Sequence, residues 1–264
     1  MAPRYPSLVL PSVPKTILAL VVCLAGWTSA SPVLADHPNA LWRVVHGLCL
    51  RDMRLTGLPA PCLSVNRQDG YAVVPDLEHR AQVLLVPTAR ILGIESPEII
   101  APDAVNYWNL AWQARRYFEG RVGRPVPRDQ VGLAINSVLS RSQRQLHIHV
   151  DCVRPDVRAA LRAHDGEIGY AWTVLRTPVA GHRFRVRRLD GADLGDRNPF
   201  TLLSGGLPGA RSRMALHGLA VIGATFPDGS PGFYLLSNRV NPGLGERGFA
   251  EIVLDHRCAV LNEP

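Results

Sequence analysis

The stretch Gln145-Leu146-His147-Ile148-His149-Val150-Asp151-Cys152 decides the fold of this protein. Polar residues alternate with aliphatic ones, which is the two-residue period of a β-strand with one buried face. The polar residues therefore share one face of the strand, and the aliphatic residues face the core. Two imidazoles beside a carboxamide and a carboxylate can attack phosphorus, stabilise an oxyanion or bind a metal. On spacing alone, an exposed strand face explains a His-x-His step equally well.

A second alternating run, residues 131–136, precedes this strand, and the polar segment 137–144 between them has the length of a hairpin loop. The two runs are predicted to pair antiparallel. In that arrangement Gly132, Ala134 and Asn136 lie on the same face as the histidines. Because glycine and alanine are small, we expect open space there, through which a ligand reaches the imidazoles.

Several segments together resemble the bacterial CDP-diacylglycerol pyrophosphatases. The run Gln145-x-His147-x-His149, followed by residues 152–157, is similar to the histidine-triad motif in the form found in that family. The other similar segments are residues 84–91, 93–97, 110–115 and 133–137. The resemblance covers most of the chain after the N-terminal segment, and it is thin from residue 161 to about residue 247. It implies an α+β fold, with a histidine-triad-like antiparallel sheet and a long helix.

One departure from the general triad pattern decides how the motif is aligned. The first histidine of the pattern is Gln145 in this chain. We therefore align His147 with the middle, nucleophilic histidine and His149 with the last one. The competing register makes His147 first, His149 nucleophilic and Asp151 last, and it places a carboxylate against a phosphate, which is electrostatically unfavourable.

The resemblance implies hydrolysis of the diphosphate bond of CDP-diacylglycerol to CMP and phosphatidate. His147 attacks the phosphorus of the nucleotide half, and water then hydrolyses the nucleotidyl-histidine. His149 contacts non-bridging oxygens or assists the leaving group. Because a phosphate monoester leaves readily, no metal or other cofactor is expected, and activity is expected to persist in chelator. Substrate-binding side chains are expected at Gln145, Asn136, Ser142 and Arg90, the last of which is alternatively a solvated charge.

The sequence is compatible with two other functions. One is an exported hydrolase or transferase of another nucleotide diphosphate. The other is a non-catalytic exported domain whose histidines bind a metal, another ligand or nothing. Several motifs of competing chemistries are missing from the sequence: the glycine-rich lysine loop, the Gly-x-Ser-x-Gly elbow and the His-Glu-x-x-His helix.

Residues 1–35 have the features of a signal peptide or signal anchor. Lys15 precedes the apolar run 17–27, and Val33-x-Ala35 predicts cleavage before Asp36. The run is short for a spanning helix, which needs about 20 residues, but residues 17–34 are mostly apolar and an uncleaved anchor is the alternative. Either outcome places residues 36–264, predicted to form a single catalytic domain, at the periplasmic face of the inner membrane.

Cysteine usage agrees with export. Cys23 lies in the predicted signal, and the remaining four cysteines are an even number. Three pairings are possible. We favour Cys49 with Cys62, which closes a short loop, and Cys152 with Cys258, which ties the C-terminus to the histidine strand. A zinc site or reactive thiol has no Cys-x-x-Cys spacing to support it.

The charge of the chain favours small anionic partners. The formal net charge is +7 at pH 7, and Lys15 is the only lysine, so the basic excess after residue 35 comes from arginine. Arginine suits bidentate phosphate contacts, although genomic base composition produces the same bias. Anionic lipid head groups or a nucleotide fit this charge, whereas no arginine run is dense enough to predict nucleic-acid binding.

Periodicity also predicts the remaining elements. The tryptophans of the longest predicted helix are interpreted as core residues rather than as a stacking surface. The predicted helices are residues 40–48, 105–118 and 155–162, and the further predicted strands are 71–75, 82–87, 172–175, 182–188, 216–222 and 232–237.

Overall fold

The computed structural model describes residues 37–262, which build one nine-stranded antiparallel sheet with helices on both faces. The strands are β1 (Ser64–Asn66), β2 (Tyr71–Pro75), β3 (Val83–Pro87), β4 (Val131–Ile135), β5 (Ile148–Cys152), β6 (Thr173–Val174), β7 (Arg185–Asp190), β8 (His217–Thr225) and β9 (Pro231–Arg239). They lie in the order β1-β2-β3-β5-β4-β8-β9-β7-β6. The predicted α+β class is confirmed.

The first helical region changes its winding along its length. An α-helical turn, α1 (Ala40–Trp42), passes into the π-helical Arg43–Cys49 and then into α2 (Leu50–Thr56). The other α-helices are α3 (Tyr107–Val122), α4 (Pro155–Ala163) and α5 (Pro199–Gly206). Short 3₁₀ turns occupy Pro97–Ile100, Arg128–Gln130, Asp165–Glu167, Arg211–Leu216, Pro242–Leu244, Glu251–Val253 and Ala259–Asn262.

The bounds of α3 follow from its capping residues rather than from its apolar pattern. At the N-terminus, the Asn106 side chain accepts a hydrogen bond from the backbone N–H of Asn109. At the C-terminus, Gly123 adopts a left-handed conformation with φ +87°. The helix therefore begins two residues later than the predicted start at 105 and continues past 118.

The predicted pairing around the histidine strand is confirmed. Ala134 of β4 lies opposite His149 of β5, and Gly132 lies opposite Asp151, so these residues share a face. The expectation of open space beside them was wrong at Gly132. A Cβ atom at Gly132 would lie 2.5 Å from Leu254 Cδ2, so the C-terminal part of the chain already fills that position.

The opposite face of β5 carries the main core. Ile148 and Val150 are fully buried in a cluster with Trp108, Trp112 and Phe118 of α3. The interpretation of the two tryptophans as core residues is therefore confirmed. The predicted strands 216–222 and 232–237 correspond to β8 and β9, which pair along their whole lengths. None of the helices within residues 37–262 is long and apolar enough to cross a membrane. The predicted signal or anchor, residues 1–35, lies outside the described residues, and the single-domain assignment of 36–264 stays a prediction.

His217, a buried histidine on the α3 side of the sheet, makes the free energy of unfolding depend on pH. Its Nδ1 lies 3.0 Å from Ser237 Oγ, and burial, with the charges of Arg239 and Arg185, lowers the pKa of His217 to about 4. In the unfolded chain a histidine has a pKa of about 6.5. Between these two values the unfolded state binds more protons, so the free energy of unfolding decreases as the pH falls from 6.5 to 4.

We therefore expect His217→Gln to lose less stability on acidification than the wild type. The difference should reach about 2 kcal/mol between pH 7 and pH 4.5, measured by denaturant unfolding with the disulfides intact. His164→Gln is the matched control, because His164 lies at the end of α4, in an ion pair with Glu167. Equal losses in wild type and His217→Gln would contradict this origin of the acid sensitivity.

Candidate functional site

His147 and His149 meet near the middle of the sheet, on the face opposite α3. His149 lies in β5 between Leu84 of β3 and Ala134 of β4, and His147 immediately precedes β5. The two rings are almost fully buried, and their centroids are 5.0 Å apart with an interplanar angle of 66°. The structure therefore brings the two predicted catalytic residues together in one desolvated position.

The His147 ring is held in a single tautomer. Its Nδ1 lies 2.7 Å from the backbone carbonyl oxygen of Gln145. Because a carbonyl oxygen only accepts, Nδ1 carries the proton and Nε2 keeps its lone pair. Burial lowers the pKa of His147 to about 4, and the charge of His149 contributes to the shift. His147 is therefore neutral at physiological pH, which is the state that a nitrogen nucleophile requires.

His149 forms a pair with a carboxylate. Its Nδ1 lies 3.0 Å from Glu251 Oε1 and 3.3 Å from Gln82 Oε1. Its Nε2 is buried and has no hydrogen-bond partner among the described residues. Burial by itself would raise the pKa of Glu251, but the charge and hydrogen bond of His149 and a bond from Asn136 hold that pKa well below its usual value. Glu251 therefore stays ionised and stabilises positive charge on His149.

Asn136 fixes the position of Glu251. The Asn136 Nδ2 donates to Glu251 Oε2 at 2.9 Å, and the Glu251 backbone N–H donates to Asn136 Oδ1 at 3.1 Å. Glu251 begins a short 3₁₀ turn about 100 residues after the histidines, and sequence reasoning missed it. No motif spacing connects Glu251 to His149, so only the pairing of distant segments shows the contact.

The Asp151 carboxylate faces a second histidine rather than open space. Its Oδ2 lies 2.8 Å from His256 Nδ1, and its Oδ1 accepts the backbone N–H of Cys152 at 2.8 Å. The His256 ring stacks on His79 with a centroid distance of 3.7 Å. Gln82 Nε2 lies within 3.3 Å of both Asp151 and His256, and so connects this cluster to His149. Both oxygens of Asp151 are thus engaged within the protein.

The predicted substrate-binding residues lie in different environments. Gln145 is buried, and its Nε2 donates to the carbonyl oxygens of Pro87 and Ala89 at 3.0 and 2.8 Å, whereas its Oε1 is buried and has no hydrogen-bond partner within residues 37–262. Arg90 is exposed, bonds Asn39 Oδ1 and lies over the Trp42 ring. Asn136 holds Glu251, as described above. The fourth residue, Ser142, is exposed.

Arg141 is a further cation near the histidines that sequence reasoning missed. It makes a bidentate ion pair with Glu95, with two N–O distances of 2.5 Å, and its charge contributes to the lowered pKa of His147. A Cβ atom at Gly93 would lie 1.7 Å from Arg141 Nη1, so a larger residue there would displace the guanidinium from this ion pair. Arg141 and Ser142 also line a cavity of about 430 Å³, whose other lining residues are Leu139, Ser140, His182, Gly245, Arg247 and Phe249.

Two disulfides join the pairs that the sequence favoured, Cys49 with Cys62 and Cys152 with Cys258. The second disulfide fastens the segment after Glu251 to the end of β5, which bears His149. Within residues 37–262, one group of side chains has a metal-ligand arrangement, Asp151 with Cys152 and Cys258. Those two cysteines are bonded to each other, so the group offers no thiolate.

Fold and site together define a class of protein: an α+β protein with two buried, hydrogen-bonded imidazoles on one face of an antiparallel sheet. The particular family follows from comparison with known proteins. The family model of CDP-diacylglycerol pyrophosphatase matches residues 36–262. A CDP-diacylglycerol pyrophosphatase of Yersinia pestis is 37% identical over 246 residues, which is 93% of this chain and 93% of that protein. This chain belongs to the CDP-diacylglycerol pyrophosphatase family.

Proposed function

We propose that this protein hydrolyses CDP-diacylglycerol to CMP and phosphatidate, with His147 as the nucleophile on a histidine-triad-like sheet. Membership of the family supports the reaction and the substrate. One observation carries the assignment of the nucleophile, namely the 2.7 Å contact between His147 Nδ1 and the Gln145 carbonyl oxygen, which leaves Nε2 unprotonated. The engagement of both Asp151 oxygens supports the same register, because Asp151 is then not needed at the phosphate.

The first step is an in-line displacement at the phosphorus of the nucleotide half. The Nε2 lone pair of His147 forms an N–P bond while the bond from that phosphorus to the bridging oxygen breaks. The bridging oxygen leaves with the electron pair as part of phosphatidate. The ring of His147 becomes positively charged, and its Nδ1–H bond to the Gln145 carbonyl oxygen stabilises that charge.

The second step returns the enzyme to its starting state. A water oxygen attacks the same phosphorus, the N–P bond breaks, and the electron pair returns to His147 Nε2. The product is CMP. In the first step protonated His149 donates its Nε2 proton to the leaving oxygen, and in the second step it takes a proton from the attacking water. The unpartnered Nε2 of His149 suits this exchange, and Glu251 stabilises the protonated form.

The surrounding residues have distinct proposed roles. Gln145, Asn136, Ser142 and Arg90 remain the proposed substrate-binding residues. For Asn136 we add the positioning of Glu251, since both groups of its amide bond that residue. Arg141, whose charge contributes to the lowered pKa of His147, is a candidate for neutralising the charge of the diphosphate. No cofactor or metal is part of this mechanism, because a monoester leaving group and two histidines suffice.

We further propose that the protein is exported and works at the periplasmic face of the inner membrane. The signal-like residues 1–35 and the two disulfides support this location. The N-terminal segment either anchors the protein or is removed. The substrate, a lipid nucleotide, lies in that membrane, and no nucleic-acid partner is proposed.

The test is CMP release from CDP-diacylglycerol in detergent, with and without excess chelator. We expect turnover that chelator leaves unchanged, because both steps use ring nitrogens alone. Nucleotide diphosphates without the diacylglycerol are the comparison substrates. If the enzyme prefers these nucleotide diphosphates over CDP-diacylglycerol, the proposed lipid hydrolase activity is wrong and the protein is a hydrolase of other nucleotides. Loss of turnover in chelator, restored by a divalent cation, would contradict the metal-free mechanism.

A further inference from the structure

Four leucines protrude from one short part of the chain, the helix end and loop covering residues 48–63. The exposed fractions are 40% for Leu48, 75% for Leu55, 66% for Leu58 and 37% for Leu63. Single exposed leucines are common on protein surfaces, but four within 16 residues concentrate exposed apolar side chains in one part of the chain. Concentrations of exposed apolar surface mark regions that contact a protein partner or a membrane.

The same helical region is already anchored by its other side. Leu41, Val45 and Leu50 are buried in a cluster with Ala72 and Val74 of β2. The exposed leucines are therefore not required for packing the helix onto the sheet. The region has one apolar side that faces the protein and a second apolar side that faces outward.

The outward leucines are held in a rigid frame. The Cys49–Cys62 disulfide ties the loop back to the helix, and α2 ends at Gly57, whose φ is +76°. Leu55 and Leu58 lie on either side of this turn. A preorganised surface loses little conformational entropy when it binds, so the frame favours docking by these leucines.

The charges near these leucines in the sequence favour an anionic partner. Residues 40–67 contain four arginines, Arg43, Arg51, Arg54 and Arg67, against one acid, Asp52. A surface that binds at the membrane interface has apolar side chains that enter the acyl region and cationic side chains that contact the lipid phosphates. Leucines beside arginines have this composition. In the sequence, the mostly apolar residues 17–34 precede α1 by five residues. The predicted signal or anchor segment therefore lies close to these leucines in the sequence.

We propose that the surface formed by Leu48, Leu55, Leu58 and Leu63 docks on an anionic phospholipid bilayer and delivers the lipid substrate to the histidines. This inference rests on the proposed function, since a soluble substrate needs no such surface. The helix is bonded to the loop before the motif: the Arg144 N–H donates to the Pro38 carbonyl oxygen at 2.6 Å, and the Leu41 N–H donates to Gln143 Oε1 at 3.0 Å. The docked helix therefore positions the catalytic strand relative to the bilayer.

The kinetic test compares full-length wild type with Leu55→Ser/Leu58→Ser. With long-chain CDP-diacylglycerol in phosphatidylglycerol vesicles, we expect KM to rise about tenfold in the double variant. With a short-chain, monomeric CDP-diacylglycerol, kcat/KM should stay within about twofold of wild type. Val105→Ser/Val174→Ser is the control, because those apolar side chains are also exposed, by 43% and 54%, but lie on other parts of the molecule.

Equal losses on both substrates would show a structural role for the leucines, and an unchanged KM on vesicles would show that another surface docks. Either result overturns the proposal. A separate readout uses vesicles without CDP-diacylglycerol. Phosphatidylglycerol vesicles should slow hydrogen exchange of backbone amides in residues 54–63 of the full chain, and phosphatidylcholine vesicles should slow it less. If hydrogen exchange in residues 54–63 is not slowed, the proposed docking surface is wrong. Failure to hydrolyse the short-chain substrate overturns only the proposed function.

Discussion

His147→Ala is expected to reduce CMP release from CDP-diacylglycerol by about 10⁴-fold or more, the largest effect of any single substitution in the described residues. The reason is that, in the proposed mechanism, His147 Nε2 forms the bond to phosphorus, and no neighbouring group replaces a nucleophile held by the Gln145 carbonyl oxygen. His149→Ala should keep part of the activity, because water can carry protons in place of an acid but cannot replace the covalent step.

Trapping of the covalent intermediate shows directly which of the two histidines is the nucleophile. With the nucleotide phosphorus radiolabelled, alkaline denaturation during turnover should retain label on wild type and on His149→Ala, but not on His147→Ala. His164→Ala is the control, because His164 lies at the C-terminal end of α4 and pairs with Glu167. Label that survives in His147→Ala and is lost in His149→Ala would move the nucleophile by two residues, to the competing register.

Glu251→Gln is expected to reduce kcat by about 100-fold, with a much smaller change in KM. Glutamine has nearly the same shape and can still bond Asn136, but it lacks the negative charge that lies 3.0 Å from His149 Nδ1. Steady-state measurement of kcat and KM at a fixed pH checks both expectations.

Two further variants show whether Glu251 acts through His149. Glu167→Gln is the matched control, since Glu167 also pairs with a histidine, at 3.2 Å, but at the exposed end of α4. Its kcat and KM should equal those of wild type. Glu251→Asp should restore most of kcat, because it restores the carboxylate. An equal loss of kcat in Glu251→Gln and Glu251→Asp would mean that the carboxylate charge is not the cause and that Glu251 only supports the structure.

The local pattern of the chain was sufficient for the elements that carry the site. The alternation in residues 145–152 predicted a strand, and the neighbouring alternation predicted its antiparallel partner. The register confirms both for His149 and Asp151, whereas β5 begins only at Ile148, so Gln145 and His147 precede the strand. These predictions succeed because the strand period is set by the backbone and burial acts on each side chain separately. Of the three pairings that four cysteines allow, the one that the sequence favoured is confirmed.

The environment of each imidazole was not predictable in the same way. Glu251, Gln82 and Arg141 reach the histidines from segments with no shared spacing, and only folding places them there. The same applies to Leu254, which fills the space that Gly132 was expected to leave open. By itself, therefore, the sequence determined which residues are catalytic candidates and which strand bears His149, and it favoured one of three cysteine pairings. The tertiary structure alone decided the charge and hydrogen-bond partners of each histidine, because electrostatic and packing contacts depend on distance in space and not on separation along the chain.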